Sequence, residues 1–571
     1  MLFTSIAAVG AAFLPTAIAQ FVPAPTDLKT VAGQYPVRYK EVPQGICETT
    51  PNVTSYSGYV DVSPNQHIFF WFFEARNVDP TTAPLTIWLN GGPGDPSMVG
   101  LFSDNGPCWV DYDGNLQYNE YSWNNVSNMI YIDQPTQVGL SYAGPINGYV
   151  DPDSGFTVTV PGDTCPDYAP ADSCGTFSNG NASLTANSTT AAAPNVWMTL
   201  QGLMTAFPQY AREGVHLSTE SYGGHYGPVF AEYFETQNSA KIAGAHSISL
   251  LSLSVGNGWF DPRIQYPAYY NYTVSPGNSY NYKPYDTATA EQVYNLFWGT
   301  GNCIDKLNDC NTRQIDEVCS DADNFCYAVE SIFDTITGRD EYDIRELSPD
   351  PFPYTNFVAY LNTPKVQQAI GAFTNFSYSV TNLGAGTTAT AFGTTGDDAR
   401  ELGIIADCQK LLKQGVSILM YHGDADYNCN WLGGAEVAAE INATGWSGAG
   451  YQNISTPDDV VHGVVKQAGN YSFVRVYDAG HSVPFYKPLA ALTMFERMLK
   501  NTDIATGTKA VTAAYRSTGP AKSTYVEGNS TIQLDVVDAS CTYDTVTDVP
   551  DCSNGTSADT DSRKIKERKR R

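Results

Sequence analysis

Short apolar runs rich in β-branched residues recur along the chain, and a turn containing Gly, Asp or Ser follows each of them. Continuous apolar runs of this length are typical of strands that are buried on both faces of a sheet. The runs are Leu85–Leu89, Met129–Ile132, Val215–Leu217, Leu250–Val255, Val416–Tyr421 and Phe473–Val476. They predict an α/β fold with a mostly parallel central sheet, in which ligands bind beyond the carboxyl ends of the strands.

The chain between the fourth and the fifth run differs in character from the rest. Residues 261–407 are rich in Tyr, Asn and Asp and contain a cluster of Cys residues. This composition predicts a cap inserted over the edge of the sheet, with helices over Thr287–Trp298 and Pro364–Ile370. The sheet domain is thereby divided into a first part, residues 20–260, and a second part, residues 408–500.

The two ends of the chain carry different signals. An apolar stretch that ends with the small-residue site Ala17-Ile18-Ala19 predicts a secretory signal peptide over residues 1–19. Residues 501–571 form a predicted C-terminal extension rich in Ser, Thr and Asp, with a hairpin over Ser523–Val537. The basic run Arg563–Arg571 at its end is typical both of a solvated tail and of a processing site.

Composition favours an exported protein and excludes several other classes. The chain has 571 residues, and its 31 basic and 59 acidic side chains give a net charge of −28, which argues against nucleic-acid binding. An apolar content of 42% excludes a disordered chain. The 12 Cys predict disulfides in an oxidising compartment, and Asn-x-Ser/Thr sequons such as Asn442 and Asn470 predict N-linked glycans. Beyond the signal no transmembrane segment is predicted, so we expect a secreted, extracellular protein.

Ser221 is the first candidate for chemistry. It follows the third run and precedes Gly223 and Gly224, which is the arrangement of a nucleophile elbow between a strand and a helix. Thr219 stands where the usual Gly-x-Ser-x-Gly pattern has its first glycine, so the pattern is imperfect. Taken alone, a Ser in a Gly-rich turn is equally well explained as a cap or turn former.

A Ser hydroxyl becomes nucleophilic only when a base takes its proton, so a His and a carboxylate should follow along the chain. His481 comes just after the sixth run, and Asp426 just after the fifth. Asp424 is the alternative carboxylate, although a turn residue explains it as well. The order Ser, Asp, His, each after a different strand, is that of α/β hydrolases and predicts a catalytic triad.

Acyl transfer also needs N–H donors aimed at the negative charge that develops on the substrate oxygen. The N–H of Tyr222, directly after Ser221, is one predicted donor. The Gly-rich loop Asn90–Gly94 after the first run can supply the other, because glycine lets the backbone approach a ligand closely.

Taken together, these segments resemble the serine carboxypeptidases, especially their secreted filamentous-fungal members. The matching segments are, in chain order, Trp88–Gly94, Ile132–Pro135, Gly139–Tyr142, Glu220–Tyr226, Gly256–Gly258, Asp261-Pro262, Gln265-Tyr266, Gly423–Trp431 and Ala479–Pro484. The resemblance implies an α/β-hydrolase fold with an inserted cap. It also implies Ser221 as nucleophile, His481 as base and Asp426 as its orienter, with the N–H groups of Gly92 and Tyr222 as oxyanion donors.

The resemblance further implies exopeptidase action. The family binds the substrate's C-terminal carboxylate with an Asn and a Gly of the Gly-rich loop and with two Glu residues. Asn90, Gly91 and Glu220 match directly, and the second Glu falls on Asp104, a shorter carboxylate. Clustered carboxyl groups cannot all ionise, so the protonated ones can donate hydrogen bonds, which implies a preference for acidic pH.

The family pattern also bears on the disulfides. It implies nested pairs Cys303–Cys326 and Cys310–Cys319 in the cap. Asp95-Pro96-Ser97 stands where the family has Cys-Ser-Ser, so a disulfide at that loop should be missing. Short loops favour Cys165–Cys174 and Cys541–Cys552, although spacing alone does not determine connectivity.

The expected function is thus that of a secreted serine-type carboxypeptidase acting on peptides and proteins with a free C-terminus. Two alternatives stay open: an acyltransferase or esterase with the same triad, and a catalytically silent secreted glycoprotein. We expect no cofactor and no metal, since the seven His show no ligand spacing beside the Cys residues. Whether Cys429 is free or pairs with Cys408 is left open by the sequence.

Overall fold

The computed structural model describes residues 21–111, 113–151, 157–170, 173–210, 214–348, 355–376, 387–532, 542–544 and 549–551. The predicted signal peptide, the basic run Arg563–Arg571 and the predicted pair Cys541–Cys552 lie outside these residues. Within them, no helix combines the length and the apolar character needed to cross a bilayer.

Nineteen strands are formed by the described residues. In chain order they are β1 (Lys29–Val31), β2 (Val37–Val42), β3 (Ser55–Ser63), β4 (Gln66–Phe73), β5 (Leu85–Leu89), β6 (Cys108–Val110), β7 (Leu116–Tyr118), β8 (Asn128–Ile132), β9 (Pro145–Val150), β10 (Thr157–Thr159), β11 (Cys174–Ser178), β12 (Val215–Glu220), β13 (Leu250–Gly256), β14 (Ser417–Gly423), β15 (Gln452–Ser455), β16 (Val461–Ala468), β17 (Tyr471–Val476), β18 (Thr542–Asp544) and β19 (Val549–Asp551).

One twelve-stranded sheet forms the centre of the molecule, in the order β1-β2-β3-β4-β8-β5-β12-β13-β14-β17-β16-β15. The six strands from β8 to β17 are parallel to one another, and they contain the six apolar runs. The α/β fold with a parallel core is therefore confirmed. Four antiparallel strands flank this core on one side and two on the other, so the complete sheet is mixed.

The α-helices of the described residues connect and cover these strands. In chain order they are α1 (Thr189–Ala206), α2 (Gly223–Ala240), α3 (Pro262–Thr273), α4 (Thr287–Trp298), α5 (Cys303–Arg313), α6 (Asp316–Glu330), α7 (Ile332–Thr337), α8 (Asn356–Leu361), α9 (Pro364–Ile370), α10 (Thr387–Thr395), α11 (Ile404–Gln414), α12 (Trp431–Ile441), α13 (Val483–Tyr486) and α14 (Pro488–Leu499).

Apolar side chains cover both faces of the sheet, which explains the continuous apolar runs. In β14, Ile418 and Met420 belong to the apolar cluster that includes α1 and α2. Leu419 and Tyr421 belong to the opposite cluster, which includes α14. Successive side chains of a strand point to opposite faces, so a strand between two helical layers needs apolar residues at every position.

The helices predicted over Thr287–Trp298 and Pro364–Ile370 are confirmed as α4 and α9. They lie in different surroundings. Helices α4, α5 and α6 contact one another, whereas α8 contacts β6 and α9 contacts β2 and β3. The boundaries of the predicted cap stay a prediction, and α11 runs across the residue 407 boundary.

Four disulfides join described residues. Cys165–Cys174, Cys303–Cys326 and Cys310–Cys319 confirm the predicted pairs. The fourth, Cys47–Cys108, joins residues 61 positions apart and was not predicted, because no short loop or family pattern indicated it. Cys408 and Cys429 are both free and buried, so the pairing left open by the sequence does not form.

The hairpin predicted over Ser523–Val537 is wrong in its described part. Residues 523–532 contain no strand. The segment instead packs on the core through a stacked tyrosine and through side-chain hydrogen bonds, for example from Arg475 to Ser523. Contacts with distant parts of the chain determine the conformation of this segment.

Candidate active site

Ser221 occupies a strained turn between β12 and α2. Its φ is 62°, in the left-handed region that residues other than glycine rarely adopt. Its N–H donates to the carbonyl of Gly256 at 2.9 Å, and its own carbonyl accepts from the N–H of Trp259 at 2.9 Å. Ser221 is partly exposed, whereas Glu220 and Tyr222 on either side of it are buried. The turn therefore exposes one Ser among buried neighbours, as a nucleophile elbow requires.

Thr219, which replaces the first glycine of the elbow pattern, is accommodated by Gly223. A Cβ on Gly223 would lie 2.4 Å from the Cβ of Thr219, so only glycine leaves room for the Thr side chain. Thr219 Oγ1 donates to the carbonyl of Gly223 at 3.0 Å. The imperfect motif is thus compensated at the start of α2.

Asp426 and His481 lie in direct contact at the carboxyl edge of the sheet. His481 Nδ1 is 2.9 Å from Asp426 Oδ2, and both residues are buried. Burial by itself would lower the pKa of His481, but the Asp426 carboxylate outweighs that effect and raises the pKa. Asp426 can therefore fix the orientation of the imidazole and stabilise its cationic form.

The segments that carry Ser221 and His481 are joined by their neighbours in sequence. Ser482 Oγ donates to Glu220 Oε1 at 3.2 Å. Because Glu220 directly precedes Ser221 and Ser482 directly follows His481, this hydrogen bond links the two segments that carry the candidate catalytic residues.

Asp424, the alternative carboxylate, has other partners. It accepts from the hydroxyl of Tyr280 at 2.8 Å, from Arg475 Nη2 at 3.1 Å and from the N–H of Asp478 at 2.9 Å. It is fully buried. Asp424 is thus a member of a buried ion pair rather than a simple turn residue, and Asp426 is the carboxylate beside His481.

The Gly-rich loop Asn90–Gly94 lies against the elbow. A Cβ on Gly91 would lie 2.5 Å from the backbone N of Tyr222 and 2.8 Å from the Cβ of Ser221. Gly92 has a φ of 106°, and a Cβ there would lie 2.6 Å from two backbone nitrogens. Only glycine fits at these two positions, and the close approach brings the loop beside the Tyr222 N–H.

Asn90 lies at the start of this loop, and the oxygen of its side-chain amide already accepts hydrogen bonds. Its Oδ1 accepts from Trp88 Nε1 at 2.7 Å and from the N–H of Gly100 at 3.0 Å. With Oδ1 occupied, Nδ2 is the atom of the side chain that can donate to a substrate carboxylate.

Glu220 and Asp104 form a buried carboxyl cluster. Asp104 ends a π-helical turn, Gly100–Asp104, and is buried despite its charge. Burial raises the pKa of Glu220 well above its usual value, and the nearby Asp104 raises it further. Glu220 Oε2 is buried and has no hydrogen-bond partner among the described residues. A carboxyl group in this state is protonated in acid and can donate to an anionic ligand.

Two contacts of the catalytic candidates were not predicted from the sequence. Asn257 Nδ2 donates to Asp426 Oδ2 at 2.7 Å, and its Oδ1 accepts from the N–H of Gly423 at 3.1 Å. Asn257 follows the fourth apolar run and lies between two glycines, and this position could have marked it as a site residue. The carbonyl of Tyr342 accepts the N–H of His481 at 2.9 Å, and the two rings are 4.9 Å apart. No local pattern marks Tyr342, which lies within the inserted region.

One group of potential metal ligands coincides with these residues. Ligand atoms of Asp426, Cys429 and His481 all lie within 4.8 Å of one another. Asp426 and His481 already bond to each other, so this group coincides with the candidate triad and we propose no metal site from it.

Most of the chain is similar to known proteins of one kind. Residues 43–501 match the family model described as serine carboxypeptidase. Carboxypeptidase S1 homolog B of Arthroderma otae is 38% identical over 558 residues, which cover 88% of this chain and 83% of that protein. Carboxypeptidase S1 of Penicillium janthinellum is 38% identical over 468 residues, which cover 81% of this chain and 98% of that protein.

A solved structure shares the fold. It is Kex1Δp, a prohormone-processing carboxypeptidase from Saccharomyces cerevisiae, with a TM-score of 0.62 and 21% sequence identity. The match covers 81% of this chain and 96% of that one. At this identity the likeness concerns the arrangement of helices and strands.

Proposed function

The chain belongs to the serine carboxypeptidase family, and on that premise we propose that it is a secreted enzyme that removes C-terminal residues from peptides and proteins through an acyl-enzyme. The observation that carries the proposal is the hydrogen bond of 2.9 Å between His481 Nδ1 and Asp426 Oδ2, at the edge where Ser221 stands in its strained turn. Acyl transfer by a Ser, His and Asp set is the chemistry that this arrangement supports.

The reaction follows from the roles of five groups. Ser221 Oγ attacks the carbonyl carbon of the last peptide bond while His481 takes the Ser proton. Asp426 holds the imidazole in position, and the N–H groups of Gly92 and Tyr222 donate to the oxyanion. His481 then gives the proton to the leaving amine. Water, deprotonated by the same His481, hydrolyses the acyl-enzyme and restores the Ser hydroxyl.

Restriction to the last residue is proposed to come from recognition of its free carboxylate. Asn90 Nδ2 and the N–H of Gly91 are donors beside the elbow, and Glu220 and Asp104 supply further donors when protonated. A buried carboxyl group can donate to an anion only while it is protonated, that is, below its pKa, and burial raises the pKa of Glu220. The proposed preference for acidic pH follows from this requirement.

Comparing a peptide that has a free C-terminus with its C-terminal amide tests exopeptidase action. The amide lacks the charge that the donors recognise, so we expect kcat/KM to be about 100-fold lower for it, the effect of one or two lost charged hydrogen bonds. Initial rates on the two peptides, followed by mass spectrometry of the products, measure the ratio. Equal rates on both would contradict the proposal and favour the esterase or acyltransferase alternative.

The pH dependence of KM is expected to report the carboxyl cluster. Below its raised pKa, Glu220 carries a proton and donates to the substrate; above that pKa it ionises and repels the substrate carboxylate, so KM rises with pH. In Glu220→Gln the side chain keeps a donor that does not titrate. We expect the wild-type KM to rise about tenfold per pH unit above the pKa, and the variant's KM to stay much flatter.

A matched control for this profile is Glu291→Gln, which removes an exposed carboxyl group on α4. Its KM should follow the wild-type curve. Parallel curves for wild type and Glu220→Gln would contradict a role of this carboxyl group in substrate binding. The raised pKa of His481 sets the acid limit of kcat, because a protonated imidazole cannot take the Ser221 proton.

Secretion is supported by the disulfides and predicts a definite pattern of N-linked glycans. Asn442 is exposed at the end of α12, whereas Asn470 Nδ2 donates to the carbonyls of Leu412 at 3.1 Å and Val416 at 2.7 Å. A glycan on Asn470 would replace one of the two Nδ2 hydrogens and remove at least one of these bonds, so we expect occupancy at Asn442 and little at Asn470. Enzymatic deglycosylation in heavy-oxygen water and peptide mass spectrometry would measure both. Full occupancy at Asn470 would contradict this expectation.

A further inference from the structure

A short segment of the C-terminal extension packs beside the loops that carry the acid and the base. We call residues 523–528 the C-terminal strap; they lie beyond residue 501, where the match to the family model ends. The ring of Tyr525 stacks on that of Tyr477, with centroids 3.8 Å apart and an angle of 16° between the planes. The N–H groups of Glu527 and Gly528 donate to the carbonyl of Ser279 at 2.7 and 3.1 Å.

Arg475 connects the strap to the interior. Its guanidinium is buried, with Nη1 donating to Ser523 Oγ at 2.9 Å and Nη2 donating to the carbonyl of Tyr525 at 2.8 Å. Nη2 also donates to Ser279 Oγ at 2.7 Å and to Asp424 Oδ2 at 3.1 Å. The guanidinium of Arg475 thus has four acceptors, and two of them belong to the strap. A buried charge without hydrogen-bond acceptors is costly.

Asp424 extends this connection to the catalytic candidates. It pairs with Arg475 and accepts the N–H of Asp478 at 2.9 Å. Asp424 lies two residues before Asp426 in one loop, and Asp478 lies three residues before His481 in the other. The hydrogen bonds thus run from the strap through Arg475 and Asp424 to both loops.

From these contacts we propose that the C-terminal strap is a positioning element for the triad. Through Arg475 and Asp424 it keeps the loops of Asp426 and His481 in a fixed position relative to each other. The strap contacts described above are with Tyr477, Arg475 and Ser279, not with Ser221, Asp426 or His481. Removing its contacts leaves Arg475 short of acceptors and lets the Asp424 ion pair shift, which moves the two loops relative to each other. A displacement of about 1 Å between reacting groups is enough to cost about 100-fold in rate.

The test uses full-length protein in which Ser523→Ala and Tyr525→Ala are combined. We expect kcat for peptide hydrolysis to fall about tenfold while KM stays within about twofold, because substrate recognition lies elsewhere. The rate of labelling by a Ser-directed fluorophosphonate should fall in parallel. Tyr525→Phe alone keeps the stacked ring and leaves Ser523 in place, so it should retain nearly wild-type kcat.

Val526→Ala is the matched control, since Val526 is 54% exposed in the middle of the strap. If the double variant does not fold, Ser523→Ala alone is used, and a lower kcat with an unchanged KM is again the expected result. The inference rests on the proposed function, and the two fail differently. Wild type without peptidase activity or labelling would overturn the function; an active wild type with a double variant equal to Val526→Ala would overturn the strap's role.

Discussion

Replacing Ser221 with Ala is expected to lower kcat for peptide hydrolysis by about a million-fold, the loss found when a triad nucleophile is removed. Ser221 is the partly exposed residue of a strained turn whose neighbours in sequence are buried. The variant should fold normally, because removing an exposed hydroxyl costs little stability. Single-turnover hydrolysis of a peptide and fluorophosphonate labelling would measure the loss.

Two further variants sharpen this result. Ser239→Ala, at an exposed position on α2, should leave the rate unchanged. His481→Ala should lose about as much as Ser221→Ala, and the double variant should lose no more, because the residues act as one unit. Residual hydrolysis by Ser221→Ala above about one per cent of wild type would show that another group is the nucleophile.

The second large effect separates the two neighbouring aspartates. Asp426→Asn is expected to lower kcat about ten-thousand-fold with the fold retained, because Asn cannot keep the His481 tautomer that acts as base. The geometry behind this expectation is the 2.9 Å bond from His481 Nδ1 to Asp426 Oδ2. Activity assays together with near-UV circular dichroism would distinguish lost catalysis from lost structure.

Asp424→Asn is the matched comparison, and it should act mainly on stability. Its carboxylate pairs with the buried Arg475, and removing the charge leaves that guanidinium without its counterion. We expect unfolding free energy to fall by about 3 kcal/mol, with a smaller loss of kcat than in Asp426→Asn. If chemical denaturation and kinetics gave the reverse pattern, the assignment of the orienting carboxylate to Asp426 would be wrong.

Several acidic residues from distant parts of the chain lie around the candidate active site. The half-buried position of Glu341 and the neighbouring Asp334 raise the pKa of Glu341 to about 7. Glu341 lies near enough to His481 for the charge of His481 to act on it. The surroundings of the triad are therefore least charged in acid, which agrees with the proposed acidic preference.

Local patterns were sufficient to find the parallel core, and they also predict where the chemistry lies. A strand buried on both faces must be apolar throughout, so the six runs reveal the core strands directly. Polar residues after such strands meet at one edge, and this rule alone predicts that Ser221, Asp426 and His481 lie together. Family resemblance supplied the disulfides Cys303–Cys326 and Cys310–Cys319 and the proposed roles of Asn90 and Glu220.

Other features were decided only by tertiary packing. Asp424 and Asp426 follow the same strand two residues apart, and the sequence distinguishes them only weakly. In the structure Asp424 pairs with Arg475, whereas Asp426 contacts His481. Cys47–Cys108 and the contact of Tyr342 with His481 likewise join residues far apart in the chain. Burial and backbone preference act over a few neighbouring residues and so leave a pattern in sequence. The pairing of distant side chains depends on how the layers pack, and no local pattern records it.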